Sequence, residues 1–253
     1  MIQVEGLSRR YAAASAVSGV SFRVEAGQLL ALVGDSGSGK TTTLKMINRL
    51  VEPDAGRVLV DGHDTAAVEP HALRRSIGYV FQGIGLFPHM TVAENVAVPL
   101  RLSGWTRDRI RARVEELLLL VELDARLASR YPAGLSGGEQ QRVGVARALA
   151  AAPRVMLLDE PFGALDPLTR DRLQRSFDDL RRRLALTAVF VTHDVAEALV
   201  LADRIGVMRS GRLVQLGTPA EIARHPADDE VARLLDTPRR HARRVAERLE
   251  GHA

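Results

Sequence analysis

The chain has 253 residues, 46% of them apolar and only 4% aromatic, and its formal net charge is +4. This length is enough for one large α/β domain, or for a core domain with a smaller lobe. The scarcity of aromatic residues favours helices and buried parallel strands over an aromatic-rich β-sandwich. The chain contains no cysteine, which excludes disulfides, cysteine-ligated zinc and thiol nucleophiles.

The sequence has no recognisable secretion signal or membrane span. Its first residues, Met1–Glu5, lack the basic-then-apolar pattern of a secretory signal. The longest leucine-rich run, Leu117–Val121, is five residues long, whereas a membrane-spanning helix needs about 20 apolar residues. We therefore expect a soluble, cytoplasmic protein.

The distribution of basic residues argues against a nucleic-acid surface. Lys40 and Lys45 are the only lysines, and the arginines are scattered among 31 acidic residues instead of forming stripes with aromatics. The exception is a basic tail, for which a solvated terminal helix is favoured over contact with anionic lipid. The arginines of this tail are Arg239, Arg240, Arg243, Arg244 and Arg248.

The first part of the chain predicts strands around one helix. Short apolar runs without polar alternation are typical of fully buried strands. Lys40–Leu50 has helical periodicity instead, with Leu44, Ile47 and Leu50 spaced by three. The predicted strands are Ile2–Leu7, Val20–Val24, Leu29–Val33, Arg57–Val60 and Ile77–Phe81.

The composition changes between about Gly83 and Ala152, where almost no strand signal remains. We interpret this stretch as a helical lobe inserted into the α/β core. Its predicted helices are Thr91–Leu102, Arg107–Val121 and Gly137–Ala152.

After the lobe, strands and helices alternate again, which implies a largely parallel sheet with helices on both faces. Pro167 is well placed in a first helical turn, and Ser210-Gly211 predicts the turn of a hairpin. The predicted strands are Val155–Leu158, Ala188–Thr192, Ile205–Arg209 and Arg212–Leu216; the helices are Pro167–Leu184, Val195–Leu201, one after Pro219 and one around Asp228–Leu235.

A glycine-rich segment, Gly34–Thr41, lies between a predicted buried strand and a predicted helix. It fits the pattern G-x-x-x-x-G-K-[ST] of phosphate-binding loops, in which backbone amides and a helix N-terminus converge on one anion. We expect Lys40 to contact the β- and γ-phosphates of ATP and Thr41 to offer its hydroxyl to Mg²⁺. The remaining candidates for ATP binding are Gly34, Ser36, Gly37, Ser38, Gly39 and Thr42.

Two carboxylates, Asp159 and Glu160, follow the apolar run Val155–Leu158. Ligands gather at the carboxyl ends of parallel strands. We therefore expect Asp159 to meet the Mg²⁺, directly or through water, and Glu160 to polarise the attacking water. Taken alone, the pair is equally typical of an ordinary turn; the phosphate loop favours the catalytic interpretation.

The segment Leu135–Arg142, Leu-Ser-Gly-Gly-Glu-Gln-Gln-Arg, resembles the signature sequence of ATP-binding-cassette ATPases. The resemblance extends from Ile2 to about Leu235. It implies an α/β fold, a P-loop NTPase cassette with a mostly parallel core sheet, an N-terminal antiparallel β subdomain and an inserted α-helical subdomain at about 83–152. The cassette would comprise residues 1–236, followed by a short basic tail, 237–253. One departure is Glu139, where the commonest signature has glutamine.

The resemblance also assigns roles to four residues outside these segments. Tyr11 would stack on adenine, and Gln82 would sense Mg²⁺ and link the helical lobe to the core. Asp166 looks like the aspartate of the D-loop, and His193 looks like the switch histidine that contacts the γ-phosphate. Each residue taken alone has an ordinary structural interpretation: a half-buried tyrosine, a loop amide, a helix N-cap and a core histidine, respectively. The order in which all four occur along the chain favours the functional interpretation.

In the family that the chain resembles, the signature closes over the ATP held by a partner's phosphate loop. The resemblance therefore implies a homodimer that sandwiches two ATP molecules with their Mg²⁺ ions. The residues that would act on the partner's ATP are Ser136, Gly137, Gly138 and Gln140.

A finer resemblance, to the ATPases of osmoprotectant importers, lies in Ile77–Asn95 and in shorter segments, Lys45–Leu50, Arg74–Tyr79 and Pro161–Arg170. These importers take up glycine betaine, choline or related quaternary amines. Amino-acid and sugar importers share parts of the pattern and remain an alternative, as does a soluble cassette ATPase outside transport. Only some 20 residues follow Leu235, so we expect no regulatory cystathionine-synthase-type domains.

Such an ATPase would lie peripherally on the cytoplasmic face of the inner membrane. Its partners would be transmembrane permease subunits and, indirectly, a substrate-binding protein; no nucleic acid is expected. The candidates for the permease contact are Phe87, Pro88 and His89, because exposed aromatics in a mobile lobe favour an interface.

Overall fold

A computed structural model describes residues 1–11, 14–163 and 165–250 and confirms the α/β class. The strands in this part of the chain are β1 Ile2–Tyr11, β2 Ala14–Val24, β3 Leu29–Val33, β4 Ala55–Val60, β5 His63–Asp64, β6 Ile77–Val80, β7 Val155–Asp159, β8 Thr187–Val191, β9 Arg204–Arg209 and β10 Arg212–Gly217. The α-helices are α1 Lys40–Ile47, α2 Pro70–Ser76, α3 Val92–Leu102, α4 Arg107–Leu120, α5 Gly137–Leu149, α6 Pro167–Arg183, α7 Val195–Leu201, α8 Pro219–Arg224 and α9 Asp229–Glu250.

The strands form two sheets. The first, in the order β2-β1-β4-β5, is antiparallel; the second has the order β10-β9-β3-β8-β7-β6. In the second sheet the strands from β9 to β6 pair in parallel, and only β10 is antiparallel to its neighbour. Every residue of β3, β7 and β8 is buried, which explains why these segments are continuous apolar runs.

The parallel pairing fixes where the candidate site lies. Val33, Val80, Asp159 and Val191 are the last residues of β3, β6, β7 and β8. Carboxyl ends of parallel strands meet at one edge of a sheet. The segments that follow these strands therefore assemble at a common edge, although they are far apart in the sequence.

The stretch of chain between β6 and β7 is helical, as predicted. Leu100 of α3, Leu117 of α4 and Val143 of α5 are buried in one apolar cluster. The buried Asn95 of α3 donates to the carbonyl oxygens of Phe87, Met90 and Thr91 and accepts from the backbone N–H of Phe87. One amide side chain thereby holds the connection that leads from β6 into the lobe.

The N-terminal strands are longer than predicted. β1 continues to Tyr11 and β2 begins at Ala14, and their pairing has register shifts between Val4 and Leu7 and again before Arg9. Such irregularities insert an extra residue and break the alternation of buried and exposed side chains. The pattern therefore becomes unreadable in the sequence beyond Leu7. The short helix α2 was not predicted either.

The helix predicted around Asp228–Leu235 is longer in the structure and continues into the basic tail, for which a solvated helix was favoured. α9 runs from Asp229 to Glu250 and passes through Pro238. Proline lacks a backbone N–H and disfavours a helix interior, yet α9 is continuous through this position. Next to it, the Thr237 hydroxyl donates to the Arg233 carbonyl oxygen at 2.9 Å. Among the described residues, no helix has the length and apolar character needed to cross a membrane.

Candidate functional site

The loop between β3 and α1 is shaped by close contact with β9. Gly34 has φ 145°, and a β-carbon there would overlap the Met208 carbonyl oxygen. The loop residues Asp35, Ser36 and Gly37 are exposed to solvent. Helix α1 begins after Gly39, which provides no side-chain cap. Its first N–H groups are therefore free of a capping side chain, which suits binding of an anion.

Lys40 places a positive charge inside this loop. Its side-chain Nζ donates to the carbonyl oxygens of Gly34 at 2.7 Å and Asp35 at 2.8 Å, and to the Ser38 hydroxyl at 3.3 Å. Lys40 is only 6% exposed, and burial lowers its pKa, while Glu160, Asp35 and Asp159 oppose the shift. An ammonium held only by neutral oxygens can exchange them for phosphate oxygens, which are stronger acceptors.

Asp159 lies against the start of α1. The Thr41 hydroxyl donates to Asp159 Oδ1 at 2.8 Å. Asp159 is 2% exposed, and burial raises its pKa, whereas the Thr41 hydrogen bond opposes the shift. The sheet thus brings together a hydroxyl and a carboxylate that are 118 positions apart in the chain.

Glu160 is the meeting point of two other predicted residues. Its Oε2 accepts from Gln82 Nε2 at 3.2 Å and lies 3.3 Å from His193 Nδ1. Glu160 has φ 47°, a conformation that is strained for a residue with a β-carbon. Its backbone N–H is anchored to the Val191 carbonyl oxygen at 3.0 Å. The turn therefore holds the carboxylate, 24% exposed, beside the His193 imidazole, which is 60% exposed.

The donor set fits Mg²⁺. Thr41 offers a hydroxyl, Asp159 a carboxylate and Gln82 an amide oxygen, and Mg²⁺ prefers such hard oxygen ligands. Thr41 and Asp159 are already in contact, whereas Gln82 is held through its amide nitrogen by Glu160. The amide oxygen of Gln82 is thereby left for another partner.

The signature segment sits at the N-terminus of α5. Ser136 is the N-cap, and its hydroxyl accepts from the backbone N–H of Glu139 at 3.3 Å. The Glu139 carboxylate in turn accepts from the Ser136 N–H at 2.7 Å and from its hydroxyl at 2.9 Å. Glu139, which the sequence interpretation left without a role, thus completes a capping box. The spacing S-x-x-E is the signal that predicts it.

Two other signature residues, Gln140 and Gly138, contact their own chain. Gln140 donates to the carbonyl oxygens of Pro132 and Leu135 and so holds the preceding turn. A β-carbon at Gly138 would lie 2.5 Å from the Thr169 methyl group. The first turn of α5 therefore packs directly on the start of α6, which only a glycine allows.

Asp166 is a helix N-cap and Tyr11 is a partly exposed tyrosine, as expected for each residue taken alone. Asp166 is the N-cap of α6 and accepts from the Thr169 N–H at 3.0 Å; hydrogen bonds from Thr169 lower its pKa. Tyr11 is 45% exposed, and the Arg9 guanidinium lies 5.1 Å from the centre of its ring. An exposed ring of this kind is available for stacking.

One residue behind Gln82 was missed by the sequence interpretation. Arg147 of α5, 8% exposed, donates to the carbonyl oxygens of Ile84 at 2.9 Å and Gly85 at 2.8 Å. Burial lowers its pKa. Arg147 thus ties the signature helix to the loop that carries Gln82. No local pattern in the sequence marks this long-range contact.

Comparison with known proteins identifies relatives of the chain. The sequence profile of the family described as "ABC transporter" matches residues 17–163. The chain is 49% identical over 240 residues to the choline transport ATP-binding protein OpuBA of Bacillus subtilis, a match that covers 94% of this chain and 63% of that protein. The chain therefore spans less than two thirds of the length of this relative.

The name of a second relative gives a different substrate. The chain is 48% identical over 256 residues to the sulfate/thiosulfate import ATP-binding protein CysA of Bordetella parapertussis, covering 100% of this chain and 69% of that protein. Among solved structures, the ATP-binding cassette MJ0796, dimeric in a post-hydrolysis state bound to ADP and Pi, is similar with a TM-score of 0.79 and 33% identity. This match covers 87% of the chain and 99% of the cassette.

We predict that Lys40→Met weakens the binding of ATP about 10- to 100-fold, because a hydrogen bond to a charged group contributes about 1.5–3 kcal/mol. Titration with a fluorescent ATP analogue measures the affinity. Arg126→Met is the matched control, since it removes the same charge from a side chain that is 90% exposed. Equal affinity of the Lys40 variant and the unmodified chain would contradict the assignment.

Proposed function

The chain belongs to the ABC transporter family, and from this membership we propose that it is the ATP-hydrolysing subunit of an importer for an osmoprotectant such as glycine betaine or choline. The observation that carries the ATPase proposal is the contact of Glu160 with both Gln82 and His193, beside the phosphate loop. These groups follow three different strands and meet at one edge of the sheet.

ATP would bind with its phosphates in the loop Gly34–Thr41. The Lys40 ammonium would transfer its hydrogen bonds from the loop carbonyls to the β- and γ-phosphates, and the free N–H groups of α1 would face the same oxygens. Tyr11 would stack on the adenine. Mg²⁺, held by Thr41, Asp159 and Gln82, would supply charge neutralisation between the phosphates.

Hydrolysis would use Glu160 as the base. A water oxygen attacks the γ-phosphorus, the bond from this phosphorus to the oxygen of ADP breaks, and the water proton passes to the Glu160 carboxylate. Gln82 and His193 orient this carboxylate through their contacts with Oε2. His193, which is 60% exposed, would donate to a γ-phosphate oxygen.

The complete nucleotide site would need a second copy of the chain. Ser136–Gly138 lie at the N-terminus of α5 and pack on α6, and Ser136 and Gly137 are exposed. In a homodimer these residues of one protomer would close over the ATP on the other protomer's loop, with Asp166 at the interface. The similarity to a dimeric cassette bound to ADP and Pi supports this arrangement.

A groove between the helical lobe and the core suits a permease subunit. Its volume is about 750 Å³, and its wall includes Phe81, Phe87 and Leu102, all of them exposed apolar side chains. Arg147, which holds the loop after Gln82, lines the same groove. A membrane partner bound here would contact the segment that carries Gln82. Of the predicted contact residues, Phe87 lies in this wall and His89 lies beside it, with ring centres 6.1 Å apart.

The substrate assignment rests on the relatives. OpuBA is a choline transport protein, and the segment Ile77–Asn95 resembles osmoprotectant importers. CysA, a sulfate importer subunit, is nearly as similar, so an importer of another substrate is the second candidate. In either case the chain would act on the cytoplasmic face of the membrane, and a separate binding protein would select the substrate.

We predict that Glu160→Gln binds ATP and forms the dimer but loses about 10²–10⁴-fold in the rate of hydrolysis, because the amide cannot accept the proton. Phosphate release measures the rate, and size-exclusion chromatography with ATP measures dimerisation. Asp179→Asn on α6 serves as the control for loss of one carboxylate. Hydrolysis at the unmodified rate would show that Glu160 is not the base.

We predict that affinity purification of the chain from its host membrane recovers a permease and a substrate-binding protein. Leu102→Asp should greatly reduce this recovery, because it puts a charge into the apolar wall of the groove. Leu119→Asp, at an 81% exposed position of α4, is the matched control and should have no effect. Recovery of a nucleic-acid complex in place of a permease would contradict the importer proposal.

A further inference from the structure

A buried carboxylate supports the turn that carries His193. Glu197 of α7 is 5% exposed, and its Oε2 accepts from the Thr192 hydroxyl at 2.7 Å. The same Thr192 oxygen accepts from the Asp194 N–H at 3.0 Å. The backbone on both sides of His193 is therefore fixed by one hydroxyl, and Glu197 holds that hydroxyl in place.

Arg170 of α6 connects this turn to the segment before α6. Its guanidinium donates to the Leu165 carbonyl oxygen at 3.2 Å and lies 3.6 Å from Asp194 Oδ2. Its Nε lies 3.9 Å from Glu197 Oε1 and has no hydrogen-bond partner among the described residues, although the atom is buried. Most buried N–H groups in proteins are paired, and Arg170 Nε is one of four buried side-chain atoms of the described residues that are not.

The unpaired Nε leaves a hydrogen bond that a second arrangement, close to the observed one, would complete. A shift of ~0.7 Å towards Glu197 would bring the pair within hydrogen-bond distance. Glu197 Oε1 already accepts from Gln174 at 3.2 Å and has lone-pair capacity for a further donor. Nη2 makes the bond to Leu165 and Nε faces Glu197, so a small movement of the start of α6 would add or remove the bond to Glu197.

The signature segment contacts two residues that precede this arginine, Leu165 and Thr169. Gly138 packs against Thr169, and a β-carbon at Gly137 would lie 3.7 Å from the Leu165 side chain. A continuous line of contacts thus runs from the signature through Leu165 and Arg170 to the turn that holds His193. Within one protomer, this line of contacts connects the surface that would meet the partner's ATP with the groups that would act on the protomer's own ATP.

We propose that Arg170 and Glu197 are positioning residues that couple closure of the signature segment over a partner's nucleotide to the placement of His193 against Glu160. This inference rests on the proposed ATP hydrolysis. When the partner's nucleotide pulls on the signature, the start of α6 moves with it, and Arg170 transfers the displacement to Asp194 and Glu197. Such a coupling needs an element with two discrete arrangements, and the half-made Arg170–Glu197 contact provides one.

The first test compares two arginines of α6. Arg170→Gln should lower kcat for ATP about tenfold while KM and the affinity for a fluorescent ATP analogue stay within about twofold, because binding groups are untouched. Glu197→Gln, which keeps the side-chain shape, should act in the same direction. Arg175→Gln, which removes an exposed ion pair with Asp171 on the same helix, should leave kcat unchanged. Equal kcat values for the Arg170 and Arg175 variants would overturn the inference.

The second test asks whether the effect passes through His193. In a His193→Ala background, measured by single-turnover phosphate release, Arg170→Gln should cause no further loss. A purely structural role would instead give the same tenfold loss again, since independent effects multiply, and would overturn the inference. Absence of ATP hydrolysis by the unmodified chain would overturn the proposed function and this inference together, whereas the preceding outcomes overturn the inference alone.

Discussion

The candidate site depends on one constraint, the in-register parallel pairing of three buried strands. Leu32 of β3 pairs with Val191 of β8, and Val191 pairs with Asp159 of β7. Because every residue of these strands is buried, a slip by one residue would exchange the side chains that pack on the two faces of the sheet and disrupt both cores. The register is therefore fixed, and with it the positions of the phosphate loop, the Asp159–Glu160 pair and His193.

The sequence allowed this part of the molecule to be predicted because each strand is a short apolar run that ends at a chemically distinctive residue. Glycine, paired carboxylates and histidine mark the ends of β3, β7 and β8. The irregular hairpin beyond Leu7 and the passage of α9 through Pro238 were not predictable in the same way. Both depend on local backbone adjustments that interrupt the hydrophobic period instead of creating one.

Within the site, residues marked by a local sequence motif could be predicted. Residues whose role depends on a contact with a distant part of the chain could not. Glu139 could be recognised from the spacing of a capping box, whereas Arg147, Arg170 and Glu197 act through contacts with distant parts of the chain. Arg147 bonds the carbonyl oxygens of Ile84 and Gly85, and Glu197 accepts from Thr192. No single segment of the sequence encodes these contacts. The family assignment supplies the reaction; these contacts describe how this chain would orient the residues that carry it out.

We propose that each phosphate loop is half of a site that a second copy of the chain completes. Mixing two inactive variants, Lys40→Met and Gly137→Asp, tests it most directly. In an equal mixture, half of the dimers are mixed and each of these contains one site with an intact loop and an intact signature. We expect ATPase activity to return, with about a quarter of the unmodified rate as its upper limit, because the working protomer of a mixed dimer has no partner nucleotide for its own signature segment. A mixture as inactive as either variant alone would contradict the shared site.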